Sequence, residues 1–163
     1  MEITHIQKSR VMKKLFLFLF VALLSATGAM AMKPNMQFGV DYDYSSKGGN
    51  SGFGFQLEYQ FLDNLRISPE FIYSCEKGDA GHFTNVNINL QYVIDSHVGF
   101  NVYPMAGFAY VNAKGDVNKC GANVGCGVEF NIGRNFALYT EETFQMVDHA
   151  TRFITGVGLK YAF

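Results

Sequence analysis

Nine charged residues fall in phase with a two-residue alternation and so share one face of the elements that carry them. They are Asp41, Asp43, Glu58, Glu70, Glu129 and Glu141, with Arg66, Arg152 and Lys160. Mixed signs on one enclosed face admit three chemistries. Acids and bases can neutralise each other as a charge-paired filling, the condition on which buried charges are tolerated. A cation that exchanges acidic partners, Lys160 or Arg66, could gate a narrow conductance. Paired carboxylates also invite a hydrolytic reading, but neither a cleft nor a cause for a raised pKa accompanies them. The first is expected, with no catalytic residue. Counting outward from the turns sets Gln60 opposite Arg66, with Glu58 diagonal to it. It also sets Tyr139 between Glu129 and Lys160, with Glu141 diagonal to Lys160. Neighbours at such separations interact, and the expected network is Glu58, Arg66, Glu129, Tyr139, Glu141 and Lys160.

The elements that must position these residues are strands. From Met36 to the last residue the hydropathy repeats every two positions, not every 3.6. Phe38, Val40, Tyr42 and Tyr44 oppose Gln37, Gly39, Asp41 and Asp43. Val86, Ile88, Leu90 and Tyr92 oppose Asn85, Asn87, Asn89 and Gln91. Eight such runs are expected: 37–44, 53–61, 65–74, 85–92, 98–111, 120–132, 136–147 and 152–163. Short turns at 62–64, 95–97 and 133–135 alternate with polar loops at 45–50, 75–82, 112–119 and 148–151. Pro69 and Pro104 fall inside strands, remove a ladder donor each, and predict local bulges.

Alternation alone does not say which face is outside. An eight-stranded barrel has an interior that side chains nearly fill, and the Phe, Tyr, Leu, Ile and Val of the apolar face would overfill it. Gly, Asn, Gln, Ser and a few charges suit that space. With the apolar face outward, lipid is the solvent that fits it. The expected fold is therefore all-β, an eight-stranded antiparallel up-and-down transmembrane β-barrel. Glu142 comes out on the lipid face, where charge is costly.

An apolar run, Leu15 to Leu24, follows Lys13 and Lys14 and precedes an A-x-A pattern at Ala29 and Ala31. It is too short to span a bilayer comfortably, which takes roughly 20 residues, and reads as a cleaved secretory signal peptide. Met12 makes a more typical start for it than Met1. The expected organisation is a signal peptide over 1–31 and a barrel over 32–163. Without residues 1–31 the chain keeps 9 basic and 13 acidic residues, a net −4. There is no clustered Lys and Arg of the kind nucleic-acid binding uses.

His82, His97 and His149 do not cluster with Cys or carboxylates at metal-ligand spacing, so no metal or cofactor is expected. Ser45, Ser46, Ser51 and His149 share the loop end, as a lipid-modifying enzyme would require, but nothing in the spacing fixes their geometry. Cys75 and Cys120 lie near the loop-side rim on opposite walls, and a bridge needs loops folded inward. Cys126 is expected to face lipid as a small apolar residue.

The last strand carries Leu159, Tyr161 and Phe163 in alternation up to a terminal aromatic carboxylate. Such an ending resembles the recognition signal that the outer-membrane insertion machinery reads in bacterial barrels. The span after the signal peptide, with Tyr103-Pro-Met-Ala-Gly107 and Gly125-Cys-Gly-Val-Glu-Phe130, resembles the small outer-membrane barrels of the OmpX and OmpA transmembrane-domain type. That resemblance implies a Gram-negative outer membrane, with lipid and the insertion machinery as partners, and a monomer. The leading expectation is a non-enzymatic structural or surface-interaction barrel. The alternatives are a narrow gated pore for small solutes or ions and, last, a membrane lipid-modifying enzyme.

Overall fold

The computed structural model describes residues 36–46, 49–75, 82–96, 99–113, 117–147 and 151–163. The N-terminal apolar run, Ala29 and Ala31 therefore lie outside the described residues. Eight wall strands follow in order: β1 (Met36–Ser45), β2 (Asn50–Leu62), β3 (Leu65–Cys75), β4 (His82–Tyr92, continued past Val93 by the two-residue strand Ile94–Asp95), β5 (Phe100–Ala113), β6 (Val117–Asn131), β7 (Phe136–Val147) and β8 (Arg152–Ala162). Each pairs antiparallel with its neighbour in sequence, and β1 pairs with β8, so the sheet closes as an up-and-down barrel.

The two faces invert the arrangement of a water-soluble protein. Arg66, Lys160, Glu58, Gln56 and Gln91 are fully buried, whereas Phe108 is 77% and Phe53 64% exposed. Outward aromatics crowd both ends of the wall. Tyr42, Tyr44, Tyr73 and Phe153 lie toward the loop end, and Phe61, Tyr92, Phe136 and Tyr161 toward the turn end, with aliphatic Val40, Ile88, Val124 and Leu159 between them. An apolar band between aromatic girdles is how a barrel wall meets a bilayer and its two interfaces.

Four expectations change. The loop expected at 112–119 contracts to 114–116, because Asn112 pairs with Asn118 and Ala113 with Val117; their side chains are polar or small, yet the ladder continues through them. Neither proline inserts a bulge. At Pro69 the β2 ladder lapses between the pairs Gln56↔Glu70 and Tyr59↔Ile67 and resumes in the same register. At Pro104 the ladder to β4 lapses around Val93 and resumes at Ile94↔Val102, again without a shift. The missing donor opens a gap that the neighbouring pairs bridge, and the one register shift of β2 lies instead at Gln60/Leu62, beside the turn.

Lys160 is displaced by two residues from its expected position. The last hairpin closes at Gln145↔Arg152, tied by Arg152 Nε donating to Gln145 Oε1 at 2.6 Å, so Lys160 pairs with Ala137 and Tyr139 with Gly158. Lastly, the interior is not polar throughout. Phe83, Ala109, Val111 and Val147 form a buried apolar cluster near the loop end, because bulky side chains alternate onto the inner face there as well.

Glu142 lies on the outer face, half-buried, and accepts a 2.8 Å hydrogen bond from Thr155 Oγ1 of the neighbouring strand. Cys120 and Cys126 are exposed free thiols, so Cys120 does not turn inward to a bridge; the Cys75 side chain lies outside the described residues.

Candidate functional site

Alternation sends every second side chain of each strand inward, and the register of eight strands stacks one such residue from each into a bonded layer near the turn end. Arg66 of β3 lies at its centre. Its Nη1 is 2.9 Å from Glu58 Oε2 of β2 and 3.1 Å from Glu129 Oε2 of β6. Nη2 also donates to Glu129, and Nε donates to Gln91 of β4 at 2.7 Å. Nη1 reaches Gln37 of β1 at 3.4 Å.

Lys160 of β8 is the second cation. Its Nζ lies 2.7 Å from Glu58 Oε1, 3.5 Å from Glu141 Oε1 of β7 and 3.6 Å from Glu129 Oε2. Tyr103 of β5 completes the ring of strands: its hydroxyl donates to Glu141 at 2.7 Å and accepts from Lys160 at 3.0 Å. The Tyr103 ring lies 4.8 Å from the Arg66 guanidinium carbon and 4.7 Å from Lys160 Nζ, which is also 4.1 Å from the Tyr139 ring centroid. Cations over ring faces gain further attraction when desolvated. On the turn side a cavity of about 300 Å³, lined in part by Gln37, Asn131, Arg134 and Asn135, opens below Lys160.

Above this layer the interior is filled by amides. Ser68 donates to Gln56 at 2.9 Å, and Gln145 Nε2 donates to Asn87 and Asn123 at 3.1 and 3.2 Å. Asp41, Asp43 and Glu70 are buried here as well. Asp41 accepts from the Tyr139 hydroxyl, and Glu70 accepts from Asn87 Nδ2 at 2.8 Å.

The structure thus brings Glu58, Arg66, Glu129, Tyr139, Glu141 and Lys160 together, with Gln60 opposite Arg66. Arg152 is only half-buried and lies over the Phe83 ring at 4.7 Å. Leu159, Tyr161 and Phe163 point outward, with Tyr161 and Phe163 at the turn end in edge contact at 5.3 Å. The His82 side chain, His97 and His149 lie outside the described residues. Sequence reasoning did not single out Tyr103, Gln37 or Gln91 as partners in the layer. Apolar residues occupy both faces of β5, which hides the side Tyr103 takes. The available signal was Gly127, which stands opposite Tyr103 and leaves its ring room.

Comparison with known proteins supports this architecture. No curated protein sequence matches the chain. The N-terminal barrel domain of Pseudomonas aeruginosa OprF superposes with a TM-score of 0.63 at 17% identity, over 81% of this chain and 100% of that one. Neisserial surface protein A gives 0.60 at 16% identity, over 78% and 96%. A de novo designed transmembrane β-barrel gives 0.62 at 16% identity, over 82% and 100%. At such identities the likeness is one of fold. The family model described as the outer membrane protein beta-barrel domain matches residues 16–163. With its apolar wall, closed sheet and that match, the chain belongs to the outer membrane protein beta-barrel family and is an integral barrel of the bacterial outer membrane.

Proposed function

We propose that the protein is a non-enzymatic, monomeric barrel that serves envelope integrity, with an interior shut by its own side chains. The observation that carries this reading is the bonded layer to which all eight strands contribute, from Gln37 of β1 to Lys160 of β8. An ion or solute crossing the barrel has to break buried, hydrogen-bonded ion pairs. The loop-end connections span 46–49, 76–81, 114–116 and 148–151. Such short segments present little area compared with the roughly 800 Å² per partner of a stable protein interface, which favours lipid over a large protein ligand.

Planar-bilayer recording on the purified protein tests the closed interior. The wild type is expected to be silent, and a steady unitary conductance would overturn the reading. A second reading, a gated pore, draws on Lys160, whose Nζ has three carboxylates within 3.6 Å among which to exchange. It predicts rare openings in wild type that become frequent in Lys160→Ala, and silence in both excludes it. Lipid analysis of a deletion strain tests the enzymatic alternative, for which altered acyl chains are the required outcome.

Export with removal of residues 1–31 is part of the proposal, supported by Leu15 to Leu24 and the Ala29 and Ala31 pattern; N-terminal sequencing of the membrane-borne protein tests it. Leu159, Tyr161 and Phe163 are proposed as the segment read by the insertion machinery. Deleting Phe163 is expected to lower the folded, heat-modifiable form in cell envelopes several-fold. Refolding of the purified variant in detergent should match wild type, because Phe163 adds a single backbone bond, to Met36 at 3.0 Å. Equal losses in both settings would instead mean a structural role.

A further inference from the structure

We propose that Asp41, Asp43 and Glu70 form an interior binding site for one largely dehydrated divalent cation of the calcium class. The three carboxylates come from β1 and β3, and their ligand oxygens lie within 4.8 Å of one another, all buried. The two fully buried cations are committed elsewhere, since Arg66 and Lys160 form ion pairs with Glu58, Glu129 and Glu141. Like charges so close in a poorly polarisable interior repel strongly. Something positive has to join them for all three to stay ionised.

Two further observations point to a ligand. Asp43 is 5% and Asp41 6% exposed, yet Asp43 Oδ2 and Asp41 Oδ1 have no hydrogen-bond donor among the described residues. Buried acceptors are ordinarily satisfied. Asp43 and Glu70 border a cavity of about 10 Å³ that Asn87, Glu141, Thr143, Ile72, Ile154 and Gly156 also line. That space holds a single small ion or water and no hydration shell.

The surrounding wall leaves the carboxylates room. Asp41 stands opposite Gly54 and Gly158, and Asp43 opposite Gly52 and Gly156. A Cβ at Gly54 would overlap the Asp41 carboxylate, and one at Gly156 would come within 2.8 Å of Asp43 Oδ1. A side chain at Gly54 or Gly156 would push the acids out of the cluster.

Size selects the cation class. Oxygens up to 4.8 Å apart can share an ion with bonds of about 2.3–2.6 Å, the calcium range, whereas magnesium at about 2.0–2.1 Å needs a tighter set and keeps its waters. Glu141 and Thr143 place further oxygens at the cavity wall, while Asn87 holds Glu70 through its Nδ2 at 2.8 Å.

The test uses the full barrel refolded in detergent and stripped with a chelator. Terbium, a calcium surrogate, is added and its emission excited through tyrosine, because the chain has no Trp and the Tyr139 hydroxyl bonds Asp41. Saturable binding of one ion, displaced by calcium and weakened more than about tenfold in Asp43→Asn with Glu70→Gln, is expected from the loss of ligand charge. Calcium should raise the unfolding temperature of wild type and leave that of Asp43→Asn unchanged. Stripped Asp43→Asn should be at least as stable as stripped wild type, since one repelling charge is gone, which also shows that the variant folds. Absence of saturable binding, or a calcium response equal in wild type and variant, overturns the site; the latter would assign binding to loop acids.

Discussion

Replacing Lys160 with methionine is expected to destabilise the folded barrel by about 3–5 kcal/mol, the usual cost of removing one partner from a buried ion pair. The side chain is 1% exposed and its Nζ lies within 3.6 Å of Glu58, Glu129 and Glu141. Without it, Arg66 is the one cation left for the first two, with Asn101 Nδ2 donating to Glu129 at 2.8 Å, and Glu141 keeps the Tyr103 hydroxyl and a long bond from Gln56 at 3.4 Å. Three carboxylates then face one guanidinium away from water. Adding Glu58→Gln to Lys160→Met should recover part of the loss, and Glu58→Gln by itself should cost less than Lys160→Met. Residues in one network are non-additive in this way. The chain lacks Trp, so the readouts are the heat-modifiable gel shift and far-UV circular dichroism against temperature. A loss under about 1 kcal/mol, the range of solvent-screened surface pairs, would mean that water reaches the layer. The closed-interior reading would then fail together with the prediction.

The barrel was legible because two adjacent strands obey a rule that a sequence displays: inward and outward side chains alternate, and a tight turn fixes what lies opposite what. Gln60 stands opposite Arg66, as counting from a three-residue turn at 62–64 sets it; the turn is in fact Asp63 and Asn64, and the register shift at Gln60/Leu62 makes up the difference. The rule weakens where the connection is longer. Lys160 shifted by two because the hairpin before it closes at Gln145↔Arg152. It fails altogether across the barrel. Arg66 and Glu129 sit on β3 and β6, and Asp43 and Glu70 on β1 and β3; none of these strand pairs is adjacent. Their meeting depends on the diameter and curvature of the closed sheet. The inner apolar residues Ile72, Val111 and Ile154 were hidden for another reason. Period two distinguishes the faces only where they differ in polarity, and near the loop end bulky residues occupy both.

Gly127→Ala is expected to cost about 3 kcal/mol or more, a large penalty for one methyl group. Gly127 pairs directly with Tyr103, and a Cβ there would come within 2.4 Å of Tyr103 Cζ. The ring cannot move aside cheaply. Tyr103 has no exposed surface, its hydroxyl is held by Glu141 and Lys160, and Arg66 and Lys160 lie over its face. Overpacking by itself costs about 1–3 kcal/mol, and a displaced hydroxyl would leave buried charged partners short of a hydrogen bond, at about 1–3 kcal/mol more. Gly133→Ala is the control: it sits in the β6–β7 turn with nothing within 4 Å of an added Cβ, and should change stability by less than about 0.5 kcal/mol. Tyr103→Leu removes the clash but also the hydroxyl, so it should cost stability alone and yet make Gly127→Ala nearly neutral on top of it. Thermal unfolding of the four proteins gives that coupling directly. If Gly127→Ala behaves like Gly133→Ala, Tyr103 has slack, and a layer with slack at its fifth strand is not a seal.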